Sequence, residues 1–227
     1  MARKESLNKK EKNFPAQSAE ASPRLSGLSG KVFGIIKFIL GILLLPFVYS
    51  VSGAFVNQFG SVDRAMQSYL WWGGLTFILI YLFVWEPAVI YGWGHKILEA
   101  VFSFFKPFVR FAPFLLPIYV IVILLLYGIF SNFFHDAWLL QYALFLCGFT
   151  LAMHLVFSSK TIRGNKEDFL KGNYIFGFSF IYIINVGILA LGLSFLFKEF
   201  SFVVFSSDTY ILAREIFYAA FKQLFIR

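Results

Sequence analysis

Five long apolar runs, joined by connections that alternate between basic and nearly charge-free, constrain this chain more than any other feature. The runs cover about residues 32–55, 69–91, 111–130, 139–157 and 174–197. Each holds about 20 residues, enough for an α-helix to cross a hydrocarbon core of about 30 Å. Within lipid such a run must be helical, because nothing outside the segment can satisfy its backbone N–H and C=O groups. Of 227 residues, 59% are hydrophobic and 21% aromatic, more apolar surface than a water-soluble core of this size can hide. The expected fold class is an all-α integral membrane protein with five transmembrane helices and a C-terminal amphipathic helix.

The connections orient it. The one after the first run carries a single basic residue, Arg64, and the one after the third, residues 131–138, carries none. The connection after the second run carries Lys96, Lys106 and Arg110, and the one after the fourth carries Lys160, Arg163, Lys166 and Lys171. Basic segments stay on the cytoplasmic side, so the N-terminus is expected there, in the inner membrane, with the fifth run exiting to the other side. The net charge of +8 is thereby read as topology rather than as a nucleic-acid footprint. The partners expected are the lipid bilayer and other membrane protein subunits, with no nucleic acid. Residues 1–31 hold seven basic residues among Ser, Pro and Gly and too few apolar ones to offset ordering entropy, which predicts a disordered basic cytoplasmic arm. Residues 32–197 then form the transmembrane domain and 198–227 a separate terminal element. The single cysteine, Cys147, allows no intrachain disulfide and no paired-cysteine metal site.

In that terminal element Asp208, Glu215 and Lys222 are spaced by seven and share one helical face, while Phe217, Phe221, Leu224 and Phe225 fall mostly on the other. Ser206, Ser207 and Asp208 resemble a helix start. The pattern predicts an amphipathic helix lying at the membrane interface or in a partner's groove. A sixth crossing would instead carry Arg214 and Glu215 into the membrane, at about 2.5 kcal/mol or more each before pairing.

Ionisable and strongly polar residues at membrane depth are the candidates for chemistry. Glu86 precedes Pro87 near the cytoplasmic end of the second run. His95 and Glu99 are four apart and face the same way on a helix; His154 lies at similar depth in the fourth run. A His-Glu-His set is a legitimate zinc shell with a fourth position open to water. Asn185 sits in the middle of the fifth run, where an amide serves as hydrogen-bonding glue between helices or as a transport ligand. No Gly-rich phosphate loop, no GxSxG serine and no internal repeat is present.

The stretch Tyr91-Gly92-Trp93-Gly94-His95-Lys96-Ile97-Leu98-Glu99-Ala100 resembles the GHExxHA helix of bacterial membrane-embedded zinc metallopeptidases, the site-2-protease-like group. The Ala112–Pro117 segment, with its AP-x-x-x-P spacing, and the stretch from His154 to Arg163 add to the resemblance, which covers about residues 85–195. It implies a zinc-dependent hydrolase framework. Lys96, however, stands where that group has its general-base Glu, and Glu99 stands where it has the second His. A lysine cannot accept a proton from metal-bound water as a carboxylate does, and its charge repels the metal. The resemblance thus implies a relative without catalysis. The function expected is a non-catalytic subunit or scaffold of a membrane complex, with no cofactor. A zinc hydrolase using His95, Glu99 and His154 is the first alternative, and a small transporter using Glu86 and Asn185 the second.

Overall fold

A computed structural model describes residues 23–84, 86–104, 112–133, 136–164 and 174–225. Residues 1–22 of the expected arm lie outside the described residues, as do Lys106, Arg110, Lys166 and Lys171 of the basic connections. Among the described residues the longer helices are α1 (Pro23–Phe59), α2 (Arg64–Phe83), α3 (Ala88–Val101), α4 (Ile118–Phe130), α5 (Ala137–Gly164), α6 (Tyr174–Leu196) and α7 (Phe202–Phe225). No strand occurs among the described residues, so the all-α class holds. By its internal contacts the chain divides into Met1–Ile36 and Lys37–Arg227. The first unit supplies the opening of α1, where Val32, Phe33, Ile35 and Ile36 are exposed. The second holds the core.

Three helices are long and apolar enough to cross a membrane, over Val32–Phe59, Ala137–Ile162 and Tyr174–Leu196. The difference from five has two local causes. The second run is divided: α2 ends at Phe83, and α3 begins only after Pro87, which has no N–H to continue the ladder. The first half of α2 is also diluted by Gln67, Ser68 and the Trp71-Trp72-Gly73-Gly74 quartet. The third run is divided too. Residues 112–115 are helical, Leu116 and Pro117 are not, and α4 resumes with only 13 residues. Pro113 and Pro117 bracket this break. Their spacing of four stops a helix, because the ring of Pro117 clashes with the carbonyl four residues back.

The element boundaries follow from caps as much as from hydropathy. Asp63 accepts hydrogen bonds from the backbone N–H groups of Ala65 and Met66, at 2.9 and 3.3 Å, and so starts α2. Helix α7 starts at Phe202, ahead of the expected Ser206–Asp208, and Ser201 supplies its cap: the Val204 N–H donates to Ser201 Oγ at 3.4 Å. Ser206 instead donates back to the Phe202 carbonyl within the helix.

Lipid is as apolar as leucine, so helices associate in it through close packing and hydrogen bonds rather than water exclusion. Helices α2 and α5 form the most extensive pair. They run parallel, with Phe77 against Phe149 at 5.3 Å and Tyr81 against Phe157 at 6.1 Å between ring centroids. The main core gathers Phe59, Leu144, Leu189, Ala190, Leu193 and Phe200. Helix α7 runs back past α1, antiparallel to it, and touches it at a few side chains. Its start is tied to the end of α1 by Ser61 Oγ donating to the Glu199 carbonyl and by the Ser201 N–H donating to Gln58 Oε1. Further along, Leu212 lies opposite Gly53, and Phe217 meets Phe47 at 5.6 Å.

Candidate functional site: a break in the helical framework

The polar residues singled out above converge on the two helix breaks. Glu86, in the gap between α2 and α3, accepts a hydrogen bond from Lys160 Nζ of α5 at 2.6 Å. Lys160 also sits over the Tyr81 ring at 4.9 Å. Both side chains are about half exposed, at 48% for Lys160 and 50% for Glu86, so the pair is a clamp across the break rather than a buried charge.

The second break leaves backbone oxygens without helical partners. Pro117 has no N–H to give, and the Ile118 N–H donates to Leu116 at 2.9 Å instead of to Phe114. Two side chains from other helices take up the orphaned carbonyls. His154 Nε2 of α5 lies 3.1 Å from the Phe114 oxygen. Asn185 Nδ2 of α6 donates to the Leu115 oxygen at 3.1 Å, and also to the Ile181 carbonyl within its own helix at 2.7 Å. His154 is 5% exposed and Asn185 not at all, so these bonds form away from solvent, where an unmet carbonyl costs several kcal/mol. A backbone oxygen only accepts, so the geometry assigns the proton of His154 to Nε2. From there the network runs outward, His154 Nε2 to Ser158 Oγ at 3.3 Å and Ser158 Oγ to Tyr91 Oη at 3.2 Å. Tyr119 of α4 donates its hydroxyl proton to the Ile90 carbonyl of α3. Asn185 Oδ1 is buried without a hydrogen-bond partner.

His95 and Glu99 form the expected pair on α3, at 3.4 Å. The His95 ring packs edge-on against Phe114 at 5.1 Å. His95 and His154 line one small cavity of about 10 Å³, together with Tyr91, Gly94 and Tyr119. That is room for about one water molecule. The three ligands of the alternative zinc site are turned to other partners: His95 Nε2 faces Glu99, whereas His154 Nε2 faces a backbone carbonyl. Among the described residues no three His, Cys, Asp or Glu side chains gather to hold a metal ion. With its proton on Nε2, His154 keeps its lone pair on Nδ1, on the side of the ring turned away from the Phe114 carbonyl.

The sequence reading missed Tyr91, Tyr119, Ser158 and Lys160. One signal was available: two prolines four apart free carbonyls, and carbonyls at membrane depth need donors from elsewhere. Of the docking-helix residues, Phe217 faces α1, while Glu215, Phe221 and Lys222 are exposed and Asp208 is half-buried.

No protein-family model, curated protein or solved structure matches this chain.

Proposed function

We propose that the chain is a non-catalytic, multi-pass subunit of a protein complex in the inner membrane, with its N-terminus in the cytoplasm. The observation that carries this reading is the engagement of His154 and Asn185. These are the strongest candidates for chemistry at membrane depth, and His154 Nε2 and Asn185 Nδ2 are engaged by the carbonyls of Phe114 and Leu115. A hydrolase needs a histidine lone pair on its metal and a carboxylate beside it, and Lys96 occupies the position where the resembled group keeps that carboxylate. A broken helix at membrane depth is also how transporters build substrate sites. There the freed carbonyls face the substrate, whereas here they are already hydrogen-bonded. The helix carrying His95, Lys96 and Glu99 is then a framework element that has kept the shape of a metallopeptidase motif without its chemistry.

The same reading places five apolar runs across the bilayer, the second and third through broken helices. The reading adds a sixth crossing by α7 in place of the expected interfacial helix, although α7 is not among the helices long and apolar enough to cross by composition. A helix that follows α1 antiparallel, from its end at Gln58 back to Phe47, crosses with it.

The test is purification of the full chain in mild detergent, with light scattering, elemental analysis and a peptide-hydrolysis assay. The expected result is an assembly larger than the monomer, without stoichiometric zinc or peptidase activity. One zinc per chain, lost in both His95→Ala and His154→Ala, would overturn the reading in favour of a hydrolase.

A further inference from the structure

Helix α7 turns one side to the chain and leaves the other uncovered. Phe205 and Ala213 are buried, and Leu212 and Phe217 face α1. On the open side, Ile211, Tyr218 and Phe225 repeat every seven residues, with Arg214 and Phe221 between them. Tyr218 is 67% exposed and Phe225 72%. A seven-residue apolar repeat is the spacing that holds a second helix along a left-handed crossing.

Arg214 and Glu215 interrupt this stripe at a revealing height. They fall between Leu212, which lies opposite Gly53, and Phe217, which meets Phe47, so they stand level with the interior of the apolar run Val32–Phe59. Both are exposed, and among the described residues neither joins an ion pair. Being adjacent in sequence, they project about 100° apart, on the two edges of the stripe, and do not neutralise one another. Charges at this depth are costly unless something pairs with them.

We infer that this face of α7 docks against the same face of a second copy of this chain, with Arg214 of each copy paired to Glu215 of the other. The partner follows from charge complementarity. Copies inserted in one orientation are related by a two-fold axis along the membrane normal, so their α7 helices run parallel and equal residues meet at equal depth. One cation beside one anion on that face is self-complementary under such an axis. Both charges are then satisfied by a single symmetric contact, with the apolar stripe closing above and below them. The inference rests on the subunit reading and names its first partner.

The experiment uses two full-length chains with different tags, co-expressed and captured through one tag from mild detergent. Wild-type chains are expected to capture each other. Arg214→Glu alone, or Glu215→Arg alone, places like charges opposite one another, and capture between identical copies should fall at least tenfold. Co-expression of an Arg214→Glu chain with a Glu215→Arg chain restores two attractive pairs, and capture should return. That rescue shows both variants to be folded. In a Cys147→Ala background, Tyr218→Cys should cross-link between copies under mild oxidation, and Leu212→Cys, which faces α1, should not. Self-capture unaffected by either reversal, or no rescue on mixing, overturns the inference. Wild-type chains that fail to capture each other, yet run as a discrete larger assembly, overturn the second copy and leave the subunit reading standing. A wild-type monomer with no associated protein overturns both.

Discussion

Gly148 of α5 meets the backbone of α2 directly: a Cβ built on it would come within 1.9 Å of the Leu70 carbonyl oxygen. Gly73 stands in the reciprocal position, 1.9 Å from the Phe145 oxygen by the same construction. Two glycines on facing helices thus allow main chain to touch main chain, the approach that drives helix association where lipid removes the hydrophobic effect. Gly74, the neighbour of Gly73, is different. Its Cβ would meet the Gly148 oxygen only at 3.6 Å, an ordinary contact.

The glycines therefore predict a sharp local contrast. Gly73→Ala and Gly148→Ala must each push the two helices apart and are expected to destabilise the chain by about 1–3 kcal/mol. Gly74→Ala is expected to be neutral within about 0.5 kcal/mol, since the added methyl finds room. Unfolding titrations in mixed micelles measure the three variants side by side. Equal losses at Gly73 and Gly74 would mean that helix approach is not what Gly73 supplies.

The carbonyls at the Pro117 break predict non-additive behaviour. Asn185→Ala leaves the Leu115 oxygen unmet and is expected to cost about 1 kcal/mol. Pro117→Ala restores an N–H and lets the helix continue toward α4, giving the freed carbonyls backbone partners of their own. In that background Asn185→Ala should cost less, with a coupling of about 0.5 kcal/mol or more. A double-mutant cycle reads this directly, and strict additivity would sever Asn185 from the break.

How far the sequence went is visible in particular elements. Helix α6, Tyr174–Leu196, ends within one residue of the run read from composition, because nothing in that run interrupts a helix. The breaks at Pro87 and Pro117 were less legible, since a proline near a run's edge reads equally as a first helical turn. His154 and Asn185 stood out as polar residues in apolar runs. Their role did not, because the group His154 answers is a backbone oxygen 40 residues away, and no side chain records it. Helix α7 was readable as a helix, and its course beside α1 was not. Its charges argue for an interface, and only the opposition of Leu212 to Gly53 and Phe217 to Phe47 aligns it with α1.

The clamp between Glu86 and Lys160 predicts an asymmetry. Both side chains are about half exposed, so solvent screens their attraction and Glu86→Gln should cost under about 1 kcal/mol. Lys160→Gln should cost more, because Lys160 also gives up its place over the Tyr81 ring at 4.9 Å. Stability measured for the two single variants and the double variant separates these contributions. A larger loss at Glu86 than at Lys160 would exclude the ring contact as a contributor.

The antiparallel course of α7 predicts which side of the membrane holds the C-terminus. Asn57 lies in the last turns of α1, on the side expected to be outside. Gln223 lies near the far end of α7, beyond Phe217, which already sits opposite Phe47. With α7 crossing beside α1, Gln223 returns to the cytoplasmic side and brings Lys222 with it, in keeping with the positive-inside rule. An interfacial α7 would leave Gln223 on the same side as Asn57. Single cysteines at the two positions, in a Cys147→Ala background, distinguish the cases with a membrane-impermeant maleimide applied to the outer face. Asn57→Cys is expected to label in intact membranes and Gln223→Cys only after permeabilisation. Labelling of both in intact membranes would return α7 to the interface and remove the membrane depth on which the Arg214 and Glu215 pairing depends.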